Sequence, residues 1–340
     1  MLADAKQVKH LPGRPKHDPG DSRWLAACFE RGAVTPCFVA APEFRVIRLH
    51  TRYRRDLTEE RTREKQRAEK LLESAAIKLS SVVTDLHGVT GRDIMDHLIA
   101  GERNPKTLAQ LARARARRKI TELEQALEGA EFFTAEHAAL LSAMLGRIDQ
   151  ATAEIGRLTA VIERLLAPYE EQLTQIESMP GWGRRSAQDA IAETGADMAR
   201  FPTGAHLASW AGRTPLDNQS GKRKGRSKSK KGNRYLAAIT GETAVAAGKT
   251  QTREGARYRR LARRRGTAKA QVALGNTQLK VYHALLSHPG TRYQDLGHDY
   301  YERQRDIRRQ IAHHVGKLGA LGFEVTLARL PDPEPTDQAA

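Results

Sequence analysis

The sequence predicts a mainly α-helical protein built on long helices, with a basic, glycine-rich segment in its C-terminal half. Three observations predict it. Residues 44–78 contain no Gly or Pro across 35 positions. Apolar residues recur with heptad spacing from Leu141 to Tyr169. Gly, Lys and Arg crowd the stretch from Gly212 to Leu236.

Composition bounds the function. Of 340 residues 39% are apolar, enough for a sizeable core. The 57 Lys and Arg outweigh 40 Asp and Glu, for a net charge of +17. Such a surplus points to nucleic acid or an acidic membrane surface and away from an ordinary small-metabolite enzyme. No run of 18 apolar residues exists, so no membrane span is expected, and the first 20 residues lack the apolar core of a secretion signal. Cys28 and Cys37 fit no zinc pattern, and a reducing cytoplasm is the expected setting. Aromatics are 5%, so phosphate contacts from Lys and Arg should outweigh base stacking.

The elements follow in order. Pro12, Gly13, Pro15, Pro19 and Gly20 break the first stretch. A short helix is expected from about Pro19 to Arg31, with Asp18 as N-cap. Residues 44–78 read as one helix about 50 Å long. Leu86–Asp93 is a turn, and Lys106–Leu127 reads as a second basic helical part carrying Arg113, Arg115, Arg117, Arg118 and Lys119. Leu141, Met144, Ile148, Ala151, Ile155, Leu158, Ile162, Leu165 and Tyr169 alternate in steps of three and four, a coiled-coil seam. Its partner is either the 44–78 helix of the same chain or the same helix of a second protomer, which makes a homo-oligomer the expectation. Residues 267–322 read as helical, and the Pro-rich acidic tail 331–340 as disordered.

Four segments could carry chemistry. Ile176–Gly195 has the pattern of a helix-hairpin-helix: Gly181 and Gly183 would let backbone N–H groups approach a phosphate, with Arg184 and Arg185 beside them. A plain turn between two helices fits the same residues. Between Arg213 and Arg234 lie nine Lys or Arg and one Asp. Lys222, Arg223, Lys224, Arg226, Lys228, Lys230, Lys231 and Arg234 would neutralise phosphates without sequence preference. Ser220, Ser227 and Ser229 share that charge, and a serine attacking a phosphodiester needs such cations, but composition does not choose among the three. Asp18 and Asp21 stand three apart at a helix start, where they could share a magnesium ion or simply cap the helix; the residues alone favour the cap. Thr252–Gly266 holds seven Arg and one Glu, and Arg257, Arg260 and Arg264 fall on one helical face that would track phosphates.

Taken together, these segments resemble the DEDD-type insertion-sequence transposases, the bridge-RNA-guided recombinases of insertion-sequence family one hundred and ten. The matching stretches are VKHLPGRPKHDPGDSRWLA, RYRRDLTEERTREKQRAEKLLESAAIKL, MPGWGRRSAQDAIAETG and FPTGAHLASWAGRTPLDNQSGKRKGRSKSKKGNRYL, with YRRLARRRG and YQDLGHDYYERQ beyond them. The resemblance implies three parts: a remnant of an α/β RuvC-like, ribonuclease H-like domain over residues 1–43, a helical coiled-coil segment over 44–172, and a C-terminal transposase domain over 173–330. It implies that Ser220 is the nucleophile and that Asp18 and Asp21 are the third and fourth acids of a magnesium site. It also implies that element and target DNA and a noncoding guide RNA are the partners. The family's first Asp and its Glu lie upstream of the segment with which this sequence opens, so an incomplete sheet is expected. Pro15 is an insertion, and Pro19-Gly20 separates the two acids. Two carboxylates alone bind magnesium weakly. The sequence therefore leads to two expectations: DNA transposition through Ser220, or a catalytically impaired chain that only binds DNA or RNA.

Overall fold

The computed structural model of the chain describes residues 3, 8–9, 11–13, 18–34, 37–216, 219–220, 223–224, 228–229, 231–303 and 307–328. The expected disordered tail, 331–340, lies outside them. Among the described residues the fold is mainly helical, and its one sheet is a two-stranded ribbon.

The N-terminal part contributes α1 (Asp18–Glu30) and, among its described residues, no β-strand. Asp18 is the first helical residue. The molecule is organised by two long helices, α2 (Pro42–Ser74) and α6 (Ala135–Leu166). Pro42 opens α2, where a missing N–H costs nothing. Thr134 and His137 close a capping box at the start of α6. At about 1.5 Å per residue each helix is roughly 50 Å long.

The heptad seam is buried within the chain. Phe44 and Ile47 of α2 pack with Ile162 and Leu166 of α6, while Ala68 and Leu72 pack with Leu141, Leu145 and Ile148. Early residues of one helix meet late residues of the other, so the pair is antiparallel and forms a stalk. Of the two partners that the heptad allows, the structure pairs the seam with α2 of the same chain. Between the two apolar ends the buried positions of α2 are Thr51, Arg54 and Glu64, and Arg61 donates to Thr152 Oγ1 at 3.2 Å.

At the far end of the stalk a distal core gathers α3 (Val89–Ile99), α4 (Pro105–Ala109) and α5 (Ile120–Ala126). The helix expected over 106–127 is broken here. Arg113 is extended, Ala114 takes a left-handed φ of 48°, and a 3-10 helix (Ala114–Lys119) links α4 to α5. Like charges three or four apart in the run Arg113–Lys119 disfavour a continuous helix, and the break lets both Leu108 and Leu123 reach the core. The α2 helix likewise stops at Ser74 rather than Lys78, because Ala75, Ile77 and Leu79 turn inward.

The proximal core gathers α7 (Glu170–Glu177), α8 (Arg184–Thr194), α9 (Gly204–Trp210), α10 (Arg234–Gly248), α11 (Arg253–Arg265) and α12 (Thr267–Ser287). The α12 helix runs through its centre and buries Leu279 and Tyr282; the Tyr282 hydroxyl and Thr194 Oγ1 lie 2.7 Å apart. The helix expected over 267–322 stops at Ser287. Residues 288–299 are largely irregular, and α13 (Tyr300–Arg303) and α14 (Ile307–Ala320) follow.

The α2 helix is fixed to α8 by charge. Arg52 makes a bidentate pair with Glu193 at 2.8 and 2.9 Å, and Arg48 donates to the Glu193 and Ala192 carbonyls at 2.6 and 3.2 Å. Arg54 donates to Gln188 Oε1 at 2.9 Å and to Asp189 at 2.7 Å. Glu193 is 1% exposed. Glu193→Ala should destabilise the fold by roughly 2–3 kcal/mol in urea denaturation, less than orphaning a fully buried ion because Arg48 and Arg52 keep some solvent access.

Candidate nucleic-acid interface

The glycine-rich basic segment rises from the proximal core as a ribbon. Leu216 N–H donates to the Lys228 carbonyl at 2.8 Å, and Pro215 bridges Ser229. Beyond that base, β1 (Gln219–Ser220) pairs antiparallel with β2 (Arg223–Lys224), which sets Ser220 opposite Arg223. The side chains of Ser220, Arg223 and Lys224 lie outside the described residues, as do Lys222, Arg226, Ser227 and Lys230 entirely.

The foot of the ribbon is tightly held. A Cβ at Gly232 would lie 2.3 Å from Trp210 O and from Gly212 N, so only glycine lets the returning strand cross there. Asn233 N–H donates to Trp210 O at 3.1 Å. Its side-chain oxygen caps α10 by accepting from the N–H groups of Tyr235 and Leu236, both at 3.0 Å. Its amide donates to Glu193 at 2.6 Å. One carboxylate therefore ties the ribbon's foot to the stalk. Arg52 also lies 4.1 Å over the Tyr235 ring, and Arg234 4.7 Å from it. The Glu193 hydrogen bonds raise the Arg52 pKa, whereas burial lowers that of Arg48.

Beside the ribbon's base lies an open groove of about 550 Å³. Ala268, Val272 and Ala273 of α12 give it an apolar floor, and Arg213, Lys228, Arg257 and Lys269 give it a cationic rim. Arg213 is half-buried. Its Nε donates to Thr240 Oγ1 at 2.8 Å, its carbonyl accepts from Asn276 at 3.0 Å, and burial pulls its pKa down. The groove offers positive charge and an apolar surface together, a fit for a nucleic-acid strand with its backbone on the rim.

The expected site residues thus divide. Lys228 and Arg257 come together at the groove, and Lys231 is exposed at the ribbon's foot. Arg260 stands 4.2 Å from the Tyr301 ring, and Arg264 is exposed on the last turn of α11, neither lining the groove. The Ile176–Gly195 hairpin is a helix–turn–helix, and both of its arginines have partners in the chain. Gly181 has φ +81°, and a Cβ there would lie 2.3 Å from Thr243 O and 2.5 Å from Ala247 N. Its missing side chain admits α10, not a phosphate. Arg184 pairs with Glu170 and Glu177, and Arg185 donates to Thr58 Oγ1 at 2.7 Å. Gly183, by contrast, is extended and has nothing near its Cβ position.

Asp21 lies on α1, and the Asp18 side chain is outside the described residues. Among the described residues no group of three or more His, Cys, Asp or Glu could hold a metal ion. No described helix is long and apolar enough to cross a membrane.

Sequence reasoning missed Lys269, Asn276 and the α12 floor, which carry no motif. It also missed the seam of Arg48, Arg52, Arg54, Asp189 and Glu193. A signal for that seam exists: Gln188 and Glu193 fall among the apolar positions of a helix that is otherwise Ala and Ile inward. A further buried acid, Glu254, opens α11. It receives Gln278 at 3.4 Å, while Gln278 also donates to Pro180 O and accepts from Thr243, so this network pins the Pro180-Gly181 turn. Burial pushes the Glu254 carboxyl up to about 7.

Two predictions follow from this geometry. Gly181→Ala should cost about 2 kcal/mol or more in thermal or urea unfolding, whereas Gly183→Ala should be near neutral. The folded protein keeps the Glu254 proton to higher pH than the unfolded chain does. Stability should therefore fall as pH rises from about 4.5 to about 7. Between pH 5 and pH 8 that carboxyl should remove on the order of 2 kcal/mol, a loss absent from Glu254→Gln.

Comparison with known proteins fits this layout. No curated protein matches the chain. Residues 2–77 match the family model of the DEDD-type IS110 transposases, described as Transposase. Residues 173–260 match the model described as Transposase IS116/IS110/IS902 family. The second match spans the hairpin, the ribbon and most of α11. These matches support insertion-sequence transposition, with DNA as the partner such activity requires. In the part that carries α1 and α2, and again in the part that builds the hairpin and the ribbon, the chain is similar to IS110-family transposases.

Proposed function

We propose that the chain cuts and rejoins DNA strands in the transposition of an insertion sequence, with Ser220 as nucleophile. The observation that carries the reading is the register of the ribbon: Ser220 is held opposite Arg223 in a basic ribbon whose foot is clamped and whose base borders a cationic groove. The groove and Lys228, Lys231 and Arg257 hold the strand by its phosphates. The serine Oγ attacks a phosphodiester phosphorus; a new Oγ–P bond forms and a P–O bond to one strand end breaks. The serine proton passes to the departing oxygen, which leaves as a hydroxyl. Attack by a second strand's hydroxyl reverses the exchange and frees the serine. Every step conserves the number of phosphoester bonds, so no oxidant or nucleotide is consumed. The surrounding guanidinium and ammonium groups offset the charge that develops on the phosphorus oxygens.

The wider assembly belongs to the same reading. A noncoding guide RNA and a second copy of the chain are partners, and Asp18 and Asp21 are the carboxylates offered to Mg2+. A second reading, binding of DNA or RNA without strand cleavage, is favoured by the cationic rim and apolar floor of the groove, which serve binding without any chemistry. One experiment separates the two. The protein is incubated with a DNA duplex carrying the element's end, with Mg2+ and the element's noncoding RNA, then denatured and run for covalent protein–DNA adducts. Adduct formed by the natural chain and abolished in Ser220→Ala, with duplex affinity within about twofold, supports the nucleophile. An undiminished adduct in Ser220→Ala removes Ser220 from that role, and binding with no adduct in either protein favours the second reading.

A further inference from the structure

The run Arg113–Lys119 holds five cations in seven residues and sits on the distal core, at the end of the stalk away from the ribbon. Along α2 alone, Arg52 to Ser74 covers about 33 Å. Nothing in the reading of Ser220 uses this segment.

Its geometry is that of a fixed platform. Ala112, Ala116 and Ile120 pack inward on the distal core. Ala114 adopts φ 48°, a left-handed conformation that costs an L-residue about 1 kcal/mol. That turn sets the following 3-10 helix, which has no buried residue, on the surface. Two of the five cations anchor the platform. Arg113 pairs with Asp93 at 2.8 Å while its backbone N–H donates to Thr90 Oγ1 at 3.0 Å, and Lys119 Nζ donates to Val82 O at 2.9 Å. The other three, Arg115, Arg117 and Arg118, are exposed, and no carboxylate among the described residues pairs with them. The solvated faces of α2 behave differently: Arg55, Arg63 and Arg67 each meet a glutamate three or four residues away.

We propose that Arg115, Arg117 and Arg118 are a second nucleic-acid contact, which grips the phosphate backbone of a DNA duplex at the far end of the stalk without reading its sequence. In a 3-10 helix, residues three apart project from the same side about 6 Å apart along the axis, which sets Arg115 and Arg118 to reach neighbouring phosphates of one strand. Guanidinium groups suit that role because their forked N–H donors match phosphate oxygens. The segment's own apolar residues face inward, so it has nothing to insert into a membrane surface. A rigid duplex is long enough to lie against both the ribbon and this platform, which a short ligand is not.

The test uses the full chain and a 40-base-pair DNA duplex, with affinity measured across a salt series. Replacing all three residues by alanine should lower the slope of log affinity against log salt by about 2 to 3, at 0.9 per phosphate contact, and weaken binding at least tenfold near 0.1 M salt. Replacing all three by lysine should restore most of the slope, which separates charge from any effect on folding. The Ser220→Ala variant should keep the full slope, so failure here and failure of the nucleophile reading are distinguishable. An unchanged slope in the alanine variant overturns the proposal. So does a loss seen only with an RNA duplex of equal length, or one seen only with phosphatidylserine vesicles.

Discussion

Much of the proximal end of the molecule depends on where one carboxylate sits. Glu193 is removed from solvent, yet three groups from two other elements converge on its residue: Arg48 and Arg52 from the stalk and Asn233 from the foot of the ribbon. Placing a charge in the interior is unfavourable unless its oxygens are fully engaged, and here they are. The consequence is geometric. The stalk, the helix after the hairpin and the returning strand of the ribbon cannot move apart without exposing that charge to an apolar surrounding. The bidentate Arg52 fork also fixes orientation, which a single hydrogen bond would not. A ribbon whose foot is fixed this way leaves the core from a defined place, and defined placement is what strand chemistry needs more than affinity.

How much of this could be read in the sequence depends on whether a feature is local. The long helices were legible, because 35 residues without Gly or Pro and an unbroken heptad are signals within one segment. So was the hairpin of Ile176–Gly195. The seam's partner was not, since either of two partners satisfies a heptad; the end-to-end pairing of Phe44 with Ile162 and of Leu72 with Leu141 is tertiary information. The break at Arg113–Ala114 was also hidden. A run of arginines has good helix propensity residue by residue, and the place of the break follows from the demand that Leu108 and Leu123 share one core, with like-charge repulsion along the run lowering its cost. The groove was the least legible feature, because its floor comes from small residues on α12 that read as ordinary helix surface. Ser220 itself was indistinguishable by composition from Ser227 and Ser229, and it was singled out only by resemblance.

The glycines of the hairpin carry a more general point. A glycine in a tight turn reports that some other atom comes close, but not which one. At Gly181 the close neighbour is the backbone of α10, and at Gly232 it is the strand leaving Trp210. Both are needed for packing, and both lie in segments that invite a ligand-binding reading. The arginines beside Gly181 follow the same logic: Arg184 and Arg185 are engaged by Glu170, Glu177 and Thr58.

The stalk, finally, changes character along its length. Between the apolar ends of α2 the buried positions are Thr51, Arg54 and Glu64, while α6 supplies Ile155 and Leu158 there. Burial of apolar surface is what makes neighbouring regions melt as one, and at mid-stalk it is carried by one helix of the pair. The coupling between the two cores is therefore thinnest there, which makes the middle of the stalk the place where heat or damage at the distal end would stop spreading.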